Sequence, residues 1–291
     1  MKIIFFGTSE FGVPSLSKII SDGHNILHIV TAPPKPANRG KKLFKSPIHQ
    51  VAEESEINII TPSKLTEECF DGIEFDLGVV ISYGMIIPEF LLSRATHGFI
   101  NLHPSSLPRW RGAAPIERAI EAGDAVTSVC VIRMTPKLDD GDIIAKLDVK
   151  ISESDTAAIL HSKFSELGAG LIAQTIRDIA IDANLVVTPQ SDVGITYASK
   201  IKKEETYIDL NSNGFLQDVI INKIRAFDSH GYCYTMYDNK RIKIISAQKS
   251  DTKSTILDIA CSNGFVSPVE IIPEGRGRMG VASFINGLNL K

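Results

Sequence analysis

Lys2-Ile3-Ile4-Phe5-Phe6-Gly7, then Pro14-Ser15-Leu16-Ser17-Lys18-Ile19-Ile20, then Asn25 to Val30, is the stretch that decides the fold. The first run is apolar without interruption and stops at glycine, which reads as a buried strand. The second carries its apolar residues at helical spacing, and the third is strand-like again. Parallel neighbours need a crossover long enough to hold a helix, so strand, helix, strand at this length is the βαβ unit of a parallel sheet.

The same logic extends along the chain. Ser46-Pro47 supplies an N-cap and a first helical residue for a helix through Glu54. Leu77 to Ser82 and Gly98 to Leu102 are continuous apolar runs suited to central parallel strands. A helix is expected over Ala113 to Ala122 and a strand over Val126 to Met134. Asp155 to Ile181 forms a long closing helix with Ile159, Leu160, Phe164, Leu167, Leu171 and Ile172 along one face. Thr188 to Gly194 is a cluster of turn formers, and short apolar runs separated by Asn-Gly, His-Gly and Asp-Asn signals follow it. The fold class expected is α/β: a Rossmann-like, mostly parallel sheet flanked by helices over 1–187, a linker over 188–206, and a small, mainly β domain over 207–291. Two domains also suit a length of 291 residues.

Hydrophobic residues at 43% and charged residues at 22% describe a globular chain, which excludes disordered and fibrous classes. No apolar stretch approaches the ~20 residues that span a bilayer, and the opening is too short for a signal segment, so a cytoplasmic location is expected. Cys69, Cys130, Cys233 and Cys261 form no C-x-x-C pair and read as packing residues. A net charge of −3 argues against indiscriminate nucleic-acid binding. Locally the balance differs: Lys35, Arg39, Lys41, Lys42 and Lys45 fall within one segment with no acidic residue among them, a patch suited to phosphates. Five like charges predict a loop that is mobile without its ligand. Gly7-Thr8-Ser9-Glu10-Phe11-Gly12 lacks G-x-G-x-x-G spacing and no Gly-Lys-Ser/Thr occurs, so dinucleotide and P-loop binding are not supported.

The chemistry is expected at Asn101-Leu102-His103-Pro104-Ser105-Ser106-Leu107-Pro108-Arg109-Trp110-Arg111-Gly112. In a strand, Asn101 and His103 point to the same side, near the carboxyl end where open α/β sheets place ligands. An amide donor beside an imidazole can stabilise a developing oxyanion, although a lone histidine at a strand end more often serves a structural hydrogen bond. No G-x-S-x-G elbow surrounds Ser105 and Ser106. Lys137-Leu138-Asp139-Asp140-Gly141-Asp142 reads in isolation as a solvated acidic turn, with a divalent-metal loop as the other reading, and is too short for an EF-hand. A carboxylate from it close to His103 would orient the ring and favour its charged form.

These motifs resemble the folate-dependent formyltransferase family, whose site is marked by Asn-x-His, Ser-Leu-Leu-Pro, Arg-Gly and a later Leu-Asp-x-Gly. Here they read Asn101-Leu102-His103, Ser105-Ser106-Leu107-Pro108, Arg111-Gly112 and Leu138-Asp139-Asp140-Gly141. The similarity runs over nearly the whole chain, with departures at Asn38, Ser106, Asp140 and Leu210. It implies transfer of the formyl group of 10-formyltetrahydrofolate, without a metal, to an amine on initiator methionyl-tRNA. Asn101 and His103 would hold the oxyanion and Asp139 would assist His103. The folate would lie along Ser105, Ser106, Leu107 and Pro108, with Tyr83, Gly84 and Met85 as another wall. Arg39, Lys41 and Lys42 would reach the tRNA, and 207–291 would be an OB-like tRNA-binding barrel; a monomer is expected. An amino-sugar nucleotide or a purine precursor as acceptor, and a non-catalytic RNA-binding protein, are the alternatives. The basic loop speaks against the first two and the intact trio against the last.

Overall fold

The apolar run at the start becomes the centre of a sheet: Ile3, Ile4, Phe5 and Phe6 are fully buried in β1 (Lys2–Gly7). The computed structural model describes residues 1–37, 42–182 and 185–288. After β1 come α1 (Val13–Ser21), β2 (Asn25–Val30), β3 (Lys35–Ala37), β4 (Lys42–Phe44), α2 (Pro47–Glu54), β5 (Asn58–Ile60) and β6 (Leu77–Ile81). Then follow α3 (Glu89–Leu92), β7 (Phe99–His103), β8 (Arg111–Gly112), α4 (Pro115–Glu121), β9 (Val126–Arg133), β10 (Ile143–Lys150) and α5 (Ala157–Ile181). Ser46 caps α2 as expected, its hydroxyl accepting the His49 N–H at 3.0 Å.

Seven strands form one sheet in the order β10-β9-β7-β6-β1-β2-β5. β1 pairs in parallel with β2 and β6, β6 with β7 and β2 with β5, whereas β7 and β9 run antiparallel. The mostly parallel sheet is therefore confirmed. From β1 the chain runs outward through β2 and β5, then returns to the other side of β1 with β6 and β7. The strand order thus reverses between β1 and β6, and the crevice outside their carboxyl ends is where sheets of this kind bind ligands. The loops after these two strands meet there through Ser9 Oγ, which donates to Ser82 Oγ at 2.7 Å.

The chain divides into two compact units, one of 1–112, 127–149 and 161–197 and one of 113–126, 150–160 and 198–291. The boundary expected at 187 is continuous in sequence, whereas these units are not. The reason is packing: α4 lies against α6 (Gln217–Ala226), which buries Ile220 and Ile224. The segment 188–206 is not a free tether either. Thr188 exchanges two 2.8 Å backbone hydrogen bonds with Ile143, and β11 (Tyr197–Ala198) pairs with β8.

In the second unit β12 (Cys233–Tyr237), β13 (Lys240–Ser250), β15 (Gly264–Pro273) and β14 (Ile259–Cys261) form an antiparallel sheet, and β16 (Met279–Gly280) pairs with β15. β12 and β14 are its edges, and one extended segment bridges both. The Ile208 N–H donates to the Tyr234 carbonyl and the Ala260 N–H to the Leu210 carbonyl, each at 2.8 Å, which closes the sheet towards a barrel. α7 (Val281–Leu288) plugs it, with Val281 and Phe284 packed on Ile242, Leu257 and Ile271.

Asp258 is buried in this unit and holds the turn before β14. It accepts hydrogen bonds from the Ser254 and Thr255 N–H groups at 2.6 and 2.9 Å and from the Thr255 hydroxyl at 2.8 Å. Burial opposes its ionisation, but these donors outweigh burial and hold the carboxyl below its usual range. Asp258→Ala is expected to destabilise the unit by about 3 kcal/mol at neutral pH. Because the folded value is depressed, this contribution is complete above the unfolded value near 4 and fades as pH falls through the folded one. Urea unfolding of both proteins at pH 7 and at about pH 3 checks it; a difference that does not shrink in acid contradicts the assignment.

Candidate active site

Alternation along β7 sends Asn101 and His103 to one side and Leu102 to the other. Leu102 is 2% exposed and packs on Gly168 of α5, where any Cβ would stand 2.5 Å from its Cδ2, so α5 can approach the strand only with glycine there. His103 is 4% exposed. Its Nε2 lies 3.0 Å from the Trp110 carbonyl oxygen and its Nδ1 3.6 Å from Asp139 Oδ2. A carbonyl only accepts, so the Nε2 hydrogen is fixed by that contact. Nδ1 is left beside a carboxylate just outside hydrogen-bond distance. It is the ring nitrogen not committed to a backbone carbonyl.

Asp139 reaches this place from a loop that turns back sharply. Its φ is +46°, in the left-handed region, and at Gly141 a Cβ would lie 1.7 Å from the Arg133 carbonyl oxygen. The two adjacent carboxylates divide their work. Asp140 hydrogen-bonds the Thr135 hydroxyl and holds the loop. Asp139 faces β7: its Oδ2 accepts the Gly112 N–H at 2.8 Å and its Oδ1 an Asn101 Nδ2 hydrogen at 3.3 Å. Asn101, His103 and Asp139, the trio expected to act together, are thereby brought into one cluster. The acidic segment, expected in isolation as a solvated turn or a divalent-metal loop, is a turn whose Asp139 carboxylate lies 3.6 Å from His103 Nδ1. Among the described residues no group of His, Cys, Asp and Glu is placed to hold a metal ion.

The loop after β7 is pinned from inside. Ser105 is fully buried and its hydroxyl donates to the Arg109 carbonyl at 2.8 Å, while Leu107 packs with Cys130 and Ile132. Expected as liners of a ligand groove, Ser105 and Leu107 instead turn inward, because a loop with no ladder of its own must bury anchors. Ser106 and Pro108 are half-buried. Burial pushes the Cys130 thiol up to about 11 and the Cys233 thiol to about 12, in keeping with packing roles. Tyr83, expected as part of another wall, is half-buried. Its ring packs edge-on against Phe6 at 5.6 Å, its hydroxyl is buried, and burial raises its pKa to about 12. Gly84 and Ile86 are exposed beside it and Met85 is half-buried.

One residue of the site carried no catalytic signal in the sequence. Gln190, expected as part of a linker, donates from Nε2 to the Asp139 and Gly141 carbonyls, both at 2.8 Å. Its Oε1 accepts from Arg111 Nε at 3.1 Å and Nη2 at 2.8 Å. Trp110, with φ +65°, donates its N–H to Thr196 Oγ1 at 2.9 Å, and the Arg109 guanidinium stacks on its ring at 4.2 Å.

β3 and β4 pair antiparallel, with Lys35 opposite Phe44. Arg39 and Lys41, and the expectation of a mobile loop, lie outside the described residues, and Lys42 opens β4. Lys45 is not an uncompensated cation. Its Nζ binds the Glu53 carboxylate at 2.6 and 2.8 Å, because α2 brings a glutamate back to the strand's end.

Comparison with known proteins defines the class. The formyl transferase family model matches residues 1–176 and the formyl transferase C-terminal domain model residues 200–289, and the chain belongs to this family. Its full length aligns within the family: the methionyl-tRNA formyltransferase of Rickettsia bellii (strain RML369-C) is 40% identical over 300 residues, covering 99% of this chain and 97% of that protein. The Rickettsia massiliae (strain Mtu5) protein of the same name is 38% identical over 302 residues, covering 100% and 98%. The fold matches the methionyl-tRNA formyltransferase from Clostridium thermocellum with a TM-score of 0.60 at 21% identity, over 95% of this chain and all of that one. The sugar 3N-formyl transferase WlaRD matches with a TM-score of 0.70 at 20% identity, over 95% and 99%.

Proposed function

We propose that the chain transfers the formyl group of 10-formyltetrahydrofolate to the α-amino group of initiator methionyl-tRNA, for translation initiation. The observation that carries this reading is the meeting of Asn101, His103 and Asp139 at the carboxyl end of β7, in a chain related over its full length to methionyl-tRNA formyltransferases. The amine forms a bond to the formyl carbon while the bond to the folate nitrogen breaks. Asn101 has one Nδ2 hydrogen on Asp139 and a second one free for the developing oxyanion. The Nε2 hydrogen of His103 is committed to Trp110, so Nδ1 receives the proton released by the amine. Asp139 stabilises the cation so formed, and Nδ1–H then joins Asn101 on the oxyanion side. The proton is returned to the departing folate nitrogen, which completes the balance.

The loop after β6 fits a flat heterocycle. The backbone of Gly84 has open space around it, Ile86 is 88% exposed, and the Tyr83 hydroxyl is a buried polar atom without a hydrogen-bond partner among the described residues. The same folate is used by the family, and HypX from Aquifex aeolicus, a protein of similar fold, forms a complex with tetrahydrofolic acid. Action as a monomer in the cytoplasm completes the proposal.

The test is formyl transfer from 10-formyltetrahydrofolate by the purified full chain to charged initiator tRNA, beside free methionine and an amino-sugar nucleotide. Transfer to the tRNA alone is expected. Transfer only to the sugar nucleotide would keep the chemistry and overturn the acceptor.

Arg39, Lys41 and Lys42 are proposed to contact the tRNA backbone. Replacing all three by alanine is expected to raise KM for methionyl-tRNA by about 10-fold and to reduce the salt dependence of log KM by about 2 in slope, since each lost phosphate contact removes roughly 0.7. KM for the folate should stay unchanged. An unaltered salt slope would make the segment a bystander.

A further inference from the structure

Gln190 stands on a segment read as a linker, yet its carboxamide uses both hydrogens and both acceptor positions: Asp139 and Gly141 carbonyls on one side, the Arg111 guanidinium on the other. The opposite amide orientation would set oxygen against two carbonyls and nitrogen against a cation, so the orientation is fixed by its partners. The amide spans the gap between two of the pieces of chain that hold the Asp139 carboxylate, Asn101 on β7 being the third. One is the loop carrying Asp139 itself, the other is β8, where Arg111 adjoins the Gly112 N–H donor to Asp139 Oδ2. Among the described residues no backbone donor reaches the Asp139 and Gly141 carbonyls, so this side chain satisfies both, beside the Asp140–Thr135 contact that also holds the loop. The segment is itself held two residues earlier by the paired Thr188 and Ile143 backbones.

We propose that Gln190 is a positioning residue for formyl transfer, acting through Asp139; this rests on the role given to Asp139 above. Freed from the amide, the loop can swing the carboxylate away from His103 Nδ1, already at 3.6 Å. A misplacement of about 1 Å near reacting groups can cost about 100-fold in rate. The side-chain hydrogen bonds of Gln190 go to Arg111 and to the Asp139 and Gly141 carbonyls, so on this proposal the loss belongs in kcat and not in KM.

The experiment is a double-mutant cycle on the full chain with 10-formyltetrahydrofolate and methionyl-tRNA. Gln190→Ala is expected to lower kcat by about 10- to 100-fold, with KM for both substrates within about 2-fold. In an Asp139→Asn background the same substitution should change kcat by less than about 2-fold, because the group it positions is already lost. Equal falls on both backgrounds, a loss confined to KM, or no loss would overturn the proposal. Full activity of Asp139→Asn alone would instead sink the reading of the site, which separates the two failures. If Gln190→Ala does not fold, Gln190→Glu replaces it in the cycle: it keeps the volume and the Arg111 contact but sets oxygen against both carbonyls. Loss of the fold in both variants would make the role structural and end the proposal.

Discussion

Replacing His103 by alanine is expected to lower kcat by about 10²–10³-fold, the usual effect of removing one preorganised group at a developing oxyanion. KM for the folate and for methionyl-tRNA should change little, since the ring is 4% exposed and offers a substrate only its Nδ1 edge. The substitution also removes the contact of the ring with the half-buried Trp110 carbonyl, and a lost hydrogen bond costs about 0.5–1.5 kcal/mol. Thermal unfolding must therefore accompany the kinetics. A folded variant with a collapsed kcat supports proton transfer at Nδ1; a folded variant with near-normal kcat removes His103 from the mechanism.

Asn101→Ala comes next in size, again about 10²–10³-fold in kcat. Its amide lies 3.3 Å from Asp139 Oδ1, so the variant loses an oxyanion donor and one of the contacts that orient the carboxylate. Asn101→Asp separates these effects. It preserves shape, removes the donor, and places a second carboxylate beside Asp139, where like charges repel. Activity at least as low as that of the alanine variant is the expected result. An aspartate variant as active as the parent would show that no donor is needed at this position.

Much of the first unit is legible from periodicity. The buried run at Ile3 to Phe6 is β1, Ser46-Pro47 opens α2, and the two-residue alternation places Asn101 and His103 together on β7. Other parts are hidden for identifiable reasons. α6 escapes a sequence reading because Gln217, Ile220 and Ile224 repeat at helical spacing within a region dominated by turn signals, and α7 because its apolar run is short. Lys45 looks free in the sequence, but α2 brings Glu53 to it. Ser105 and Leu107 belong to the motif that marks the site, yet they anchor its loop from within.

What the sequence alone determined is local: which segments are strands or helices, that β1 and β2 are parallel, and which residue types could do acyl-transfer chemistry. These follow from neighbours a few residues apart, whose spacing sets which face is buried. Only the tertiary structure decided how Asp139 meets His103 while Asp140 turns to Thr135, and that Gln190 reaches across to the loop that carries both. Such meetings depend on the backbone directions of distant segments, on a left-handed turn at Asp139 and on the absence of a side chain at Gly141. Composition and spacing do not encode which carbonyl a turn presents to which amide; the packing of the loop against the sheet does.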